Sequence, residues 1–184
     1  LSPSAAAADE GAEIGAVVEL GERMRLGTVK NATDLGRAIH GLIAAEMNNP
    51  DDSENSRASR VIYDWGFAET ADPAAVADAA RNFVTWAQSE FEPITWHVEH
   101  PITHVLESGQ VVQGFIDLLL ETYDGFVIVD HKASQRPRTE WTELAMEYSG
   151  QLRAYQNAVE EATGRAVIAK WIYLPLGGGL IPVM

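Results

Sequence analysis

The sequence of 184 residues contains no cysteine. That absence excludes disulfides, thiolate zinc sites and Cys-ligated iron–sulfur clusters. It agrees with a cytoplasmic protein, which is the expectation here. No apolar run approaches the roughly 20 residues that span a bilayer, and no signal peptide is visible, so no membrane partner is expected. No G-x-x-x-x-G-K-[ST] segment occurs, which excludes a Walker A phosphate loop. Positive charge is scarce as well, with 13 Lys and Arg against 27 Asp and Glu and a net charge of −14. Such a balance argues against a free-standing nucleic-acid binder. The deficit is uneven. Residues 1–130 carry 7 basic and 22 acidic side chains, whereas residues 131–184 carry 6 and 5.

What is present suits one domain with a real core, since 46% of residues are hydrophobic and 22% charged. The chain begins at Leu1 with a run of small residues and reads as a piece of a longer polypeptide. Residues 1–18 read as a flexible N-terminal segment and 19–184 as a single domain. Thr33 is the expected N-cap of a helix with Leu35, Ile39, Leu42 and Ile43 on its apolar stripe. The polar stretch 48–59 reads as a solvated loop, because the position a calcium loop gives to glycine is Ser56. A short helix at 60–68 and a longer one from Asp72-Pro73 follow. Three strands are expected at 94–107, 110–122 and 125–133, joined by tight hairpins at Ser108-Gly109 and Asp124-Gly125. A long helix should then stop at Gly164, with a strand after it and a glycine turn at 177–179. The fold expected is α/β: a mixed sheet flanked by helices, with an N-terminal helical part.

The hairpin "GFIDLLLETYDGFVIVDHKAS" carries charge in places where strands are usually apolar. Alternation puts Phe115, Asp117 and Leu119 on one face, and Asp130 and Lys132 together on the neighbouring strand. Strands lie about 4.8 Å apart, so Asp117 can approach Asp130. Two carboxylates this close repel unless they share a proton or a cation. Mg²⁺ takes one or two carboxylates together with waters and phosphate oxygens. A lysine beside such a pair suits phosphodiester hydrolysis, where negative charge builds on phosphate. The tripeptide "DHK" taken alone reads rather as a structural Asp–Lys pair at a strand end.

More than the tripeptide is present. "LGRAIHGLI", "GFIDLL", "IVDHKAS", "YSGQLRAY" and "IYLP" occur in an order that resembles the nuclease domain of RecB/AddA-type helicase–nucleases of the PD-(D/E)XK superfamily. The resemblance spans roughly residues 20–180 and implies the restriction-endonuclease-like core. It implies His40, Asp117 and Asp130 as metal ligands, with the backbone carbonyl of His131 as a further one. Lys132 matches the catalytic lysine, and Gln151 and Tyr155 match a Q-x-x-x-Y pair beside the active site and the DNA. Their i, i+4 spacing places both on one helix face. Glu99 resembles, more loosely, an acidic residue near the metals and is kept as a further candidate. Read alone, His40 borders the apolar stripe of its helix and would be a packing residue. His131 stands where the family usually has tyrosine, and its side chain should point away from Asp130.

The resemblance implies a Mg²⁺-dependent deoxyribonuclease, exodeoxyribonuclease V-like, with Mn²⁺ as a substitute. The implied partners are DNA, single-stranded by expectation, and helicase domains on the same polypeptide. A second helicase–nuclease polypeptide is a further candidate partner. Lys132, Arg136, Arg138 and Arg153 are the expected DNA contacts. The alternative is a catalytically silent nuclease fold that binds DNA or braces the helicase.

Overall fold

The structure is a computed structural model describing residues 2–28, 31–48, 56–105, 109 and 111–184. Six strands form one mixed sheet in the order β1-β6-β5-β4-β3-β2. They are β1 (Val18–Glu19), β2 (Thr95–Val105), β3 (Val111–Glu121), β4 (Phe126–His131), β5 (Val167–Leu174) and β6 (Gly179–Pro182). The β4–β5 pair is parallel and its neighbours are antiparallel. A parallel pair needs a crossover, and α4 (Trp141–Thr163) supplies it. This is the expected α/β fold, a mixed sheet with helices on both faces.

Strands buried on both faces should be apolar throughout, and β4 is buried from Phe126 to Asp130. One face packs on α1 (Ala32–Asn48), α2 (Ser56–Asp64) and α3 (Pro73–Phe91), joining Leu35, Ile39 and Phe83 to Leu118, Leu120, Val127 and Val129. The other packs on α4, joining Leu144, Leu152 and Tyr155 to Ile116, Leu119, Ile128 and Ile172. Asp72 caps α3, its carboxylate accepting from the Ala74 N–H at 3.0 Å. Gly164 ends α4 at φ +66°, a conformation that costs glycine little.

Several expectations need correction. The cap of α1 is Asn31 rather than Thr33, with Asn31 Oδ1 accepting from the Asp34 N–H at 3.2 Å. Nor does a single alternation run along β3, since Ile116 and Leu119 both face α4 while Leu118 and Leu120 face α1–α3. The break lies at Asp117. Across from it, Glu99 adopts φ +50°, and the pairing passes from Val98–Leu118 to His100–Ile116. Of the expected loop 48–59, Asn48 belongs to α1 and residues 56–59 open α2, while residues 49–55 lie outside the described residues, as do 106–108 and 110 at the first hairpin.

Residues 2–18, read from sequence as a flexible segment, lie against α4 and β6. The Asp9 N–H donates to Ser149 Oγ at 2.8 Å, and Ile14 bridges Val183. Gly150 permits this approach, because a Cβ there would collide with the Ala7 carbonyl oxygen. No described helix is long and apolar enough to cross a membrane.

Candidate active site

Three elements meet where the alternation of β3 breaks. Helix α1 brings His40, β3 brings Asp117, and β4 ends in Asp130 and His131 with Lys132 directly after it. They surround a cavity of about 320 Å³ lined by His40, Glu99, Asp117, His131 and Lys132 among others. His40 therefore faces this cavity from the border of the α1 stripe, held there by the apolar residues that dock α1.

The polar geometry around His40 favours a cation. Its Nε2 lies 3.3 Å from the Asp117 backbone carbonyl, so that nitrogen carries the donated proton. The opposite nitrogen, Nδ1, then faces two carboxylates, Glu99 Oε1 at 3.3 Å and Asp117 Oδ1 at 4.0 Å. A lone pair aimed at two anions needs a proton or a metal ion between them. Asp117 is fixed from behind by the His131 N–H, which donates to its Oδ2 at 2.7 Å. Ligating atoms of His40, Asp117 and His131 all lie within 4.8 Å of one another. Both ring nitrogens of His131 are buried without a hydrogen-bond partner among the described residues. Burial, with His40 and Lys132 nearby, holds its pKa well below the usual histidine range. An orphaned neutral imidazole beside a carboxylate and a second histidine fits a metal site.

Asp130 occupies different surroundings. It is only 1% exposed and lies among the side chains under α4. Lys132 Nζ stands 2.7 Å from its Oδ2, and Gln151 Nε2 donates to its Oδ1 at 3.1 Å. Gln151 Oε1 accepts from Lys132 Nζ at 3.3 Å. The Gln151 amide also donates to the Tyr155 hydroxyl at 2.7 Å, and that hydroxyl donates to the Phe115 carbonyl at 2.7 Å. Four side chains thus form one chain of contacts from β4 through α4 to β3. Burial raises the Asp130 pKa to about 7, against the lowering influence of Lys132.

The sequence-predicted residues fall into two groups. His40, Asp117, Glu99 and Lys132 line the cavity, and Gln151, Tyr155 and Asp130 form the buried network behind Lys132. Sequence reasoning gave the His131 side chain no role. Alternation signalled it, since a side chain opposite Asp130 must face the helix that carries His40. Tyr148, whose ring lies 4.2 Å from Lys132 Nζ, was also missed, although it sits one turn before Gln151. The expected DNA contacts are already paired: Arg136 with Glu147, Arg138 with Glu19 and Arg153 with Asp9.

Comparison with known proteins matches residues 13–178 to a family model described as the PD-(D/E)XK nuclease superfamily. Curated relatives carry the name of an ATP-dependent helicase/nuclease. The one from Pelotomaculum thermopropionicum is 44% identical over 64 residues, 35% of this chain and 5% of the relative. That from Carboxydothermus hydrogenoformans is 38% identical over 87 residues, 41% of this chain and 8% of the relative. A third, from Alkaliphilus oremlandii, is 24% identical over 166 residues, covering 89% of this chain but 13% of the relative. This chain therefore spans a small fraction of the length of the curated relatives it matches.

Proposed function

The chain belongs to the PD-(D/E)XK nuclease superfamily, and from that premise we propose that it is the metal-dependent DNA nuclease domain of a helicase–nuclease. The observation that carries this reading is the cavity in which His40, Asp117 and Lys132 converge, with Asp130 buried behind the lysine. His40 and Asp117 would hold Mg²⁺ or Mn²⁺ together with the His131 backbone carbonyl. Asp130 would join them after exchanging Lys132 or Gln151, since both of its oxygens are engaged. The ion would supply Lewis-acid stabilisation of the phosphate charge and a nucleophile at neutral pH.

The protein's own residues supply the rest. Lys132 lines the cavity while its ammonium rests on Asp130 and Gln151, and from there it would stabilise the charge developing on a scissile phosphate. Gln151 bridges Asp130 and Lys132 and keeps the ammonium from swinging away. Tyr155 locks the Gln151 amide, and through Phe115 it ties α4 to the strand that carries Asp117. Glu99 stands beside His40 at the cavity mouth and can orient that ring.

The substrate is DNA, in our reading a single strand delivered by helicase domains on the same polypeptide. A second helicase–nuclease polypeptide is a further partner in this reading. The paired arginines support delivery over capture, because each phosphate contact must first displace a carboxylate. The processing of DNA ends in repair and recombination is the corresponding biological role. Calorimetric titration with Mn²⁺, followed by a cleavage assay on single-stranded oligonucleotides, tests this reading. Saturable metal binding with metal-dependent cleavage is the expected result. Metal binding without cleavage would favour a silent module, and no metal binding would overturn the assignment.

A further inference from the structure

The ring of His131 is the polar group in this region that the proposed chemistry leaves unused. It projects from β4 on the side opposite Asp130, toward α1 and α3. Three rings wall it in: His40 at 4.8 Å between centroids, Phe83 at 5.4 Å and Tyr173 at 5.5 Å. None of these walls accepts its proton. Phe83 has no polar atom, and the Tyr173 hydroxyl points away, donating to the Ala79 carbonyl at 3.0 Å. His40 is engaged by the Asp117 carbonyl and by the two carboxylates described above. Neither His131 nitrogen has a hydrogen-bond partner among the described residues. A buried polar group left unsatisfied is expensive, and native proteins retain one where it serves a purpose.

We infer that the imidazole of His131, and not only its backbone carbonyl, is a metal ligand that completes a two-histidine, one-carboxylate set with His40 and Asp117. The inference rests on reading the cavity as a metal site. The set is compact enough for it. Two donors each ~2.1 Å from one ion lie at most about 4.2 Å apart, so atoms within 4.8 Å of one another need little contraction. The backbone supports the same geometry, because the His131 N–H holds Asp117 Oδ2 and leaves Oδ1 turned toward His40. The Phe83 and Tyr173 rings restrict the imidazole, so little side-chain freedom is lost when it binds.

The consequence is a change of metal preference. Imidazole donors suit Co²⁺, Ni²⁺ and Zn²⁺, whereas Mg²⁺ prefers oxygen donors and retains its waters. A site with two imidazoles and one carboxylate should rank Co²⁺ above Mn²⁺ and Mn²⁺ above Mg²⁺, by a margin that His131 sets. A tyrosine at this position would leave one imidazole and a site closer to Mg²⁺.

The test measures binding of Co²⁺ and Mg²⁺ to the wild-type chain and to His131→Tyr by titration calorimetry, without DNA. The Co²⁺ affinity of the variant should fall by about tenfold or more, at least as much as loss of an outer-shell partner. Its Mg²⁺ affinity should change far less. An unchanged Co²⁺ to Mg²⁺ ratio in a folded variant overturns the inference. A second measurement needs no substitution: proton magnetic resonance of the Co²⁺-loaded wild-type chain should show two strongly shifted, exchangeable imidazole N–H signals, and a single one overturns it. Failure of the wild-type chain to bind any metal would overturn the metal reading as a whole, whereas tight binding through one imidazole would overturn this inference alone.

Discussion

Asp117 and Asp130 lie on neighbouring strands, yet the fold gives them opposite surroundings. Asp117 sits where β3 changes face, partly open to a cavity and flanked by two histidines. Asp130 is sealed beneath α4 with a lysine and a glutamine on its oxygens. Two carboxylates of the same chemistry thereby acquire different work. In the proposed reading one faces the ion directly, and the other anchors Lys132 until it exchanges that partner or Gln151 for the metal. Environment separates the two, and burial raises the proton affinity of Asp130.

The largest effect should come from the open side. Asp117→Asn should lower DNA cleavage by about 10²–10⁴-fold while circular dichroism and unfolding midpoint stay close to wild type. A variant cutting near the wild-type rate under matched metal would erase the distinction drawn here. His40→Ala should reduce Mn²⁺ affinity and cleavage together, and excess metal should recover part of the rate.

The sealed side should respond in stability as well as rate. Lys132→Met leaves the Asp130 carboxylate without its cation, and breaking a buried pair costs about 3–5 kcal/mol. Denaturant unfolding at pH 8 should report that loss. At pH 5 the loss should shrink, because Asp130 can take up a proton. Equal losses at both pH values would show that Asp130 is not the cause.

A smaller effect concerns pH in the metal-free wild-type protein. Burial raises Asp130 from 3.8 to about 7, so the folded state holds a proton that the unfolded chain has released. Stability from this group is therefore full below about pH 4 and lost as pH rises toward about 7. Asp130→Asn should flatten that slope, whereas Asp117→Asn should only weaken it, since the Asp117 charge is a minor contributor beside burial. Tyr155→Phe should matter least, costing about 1–2 kcal/mol through the lost hydrogen bonds. Its rate should fall less than that of Gln151→Ala, which frees Lys132 directly.

Much of this contrast was legible in the sequence. Alternation put Asp130 with Lys132, and i, i+4 spacing put Gln151 with Tyr155; the geometry joins all four. The resemblance marked His40, which its place at the edge of an apolar stripe would have assigned to packing. The change of face at Asp117 was not legible, because it depends on Glu99 taking a left-handed backbone on another strand. Period-two counting assumes a regular ladder and fails silently where the ladder bends. The two-residue β1 escaped notice for a similar reason, as so short a strand has no period to detect. Asn31 outcompetes Thr33 as the cap because it stands one residue before the helix, where its side chain reaches the free N–H of Asp34.

The two ends of the sequence clasp each other. Glu13 and Met184 exchange backbone hydrogen bonds, Gly15 donates to Pro182, and Val18 pairs with Leu180. Contacts so distant along the chain are slow to form, because a long loop must close before they bring any gain. On a ribosome β1 emerges well before β6 and must stay unpaired until β6 has cleared the exit. Until then β5 presents a bare edge, the kind of surface that invites wrong partners during synthesis. The antiparallel meander and α4 can assemble earlier, so the candidate site should be organised before the sheet acquires its outermost strands. Deletion of residues 179–182, which form β6, should thus leave the carboxylates in place and one flank of the sheet open to aggregation.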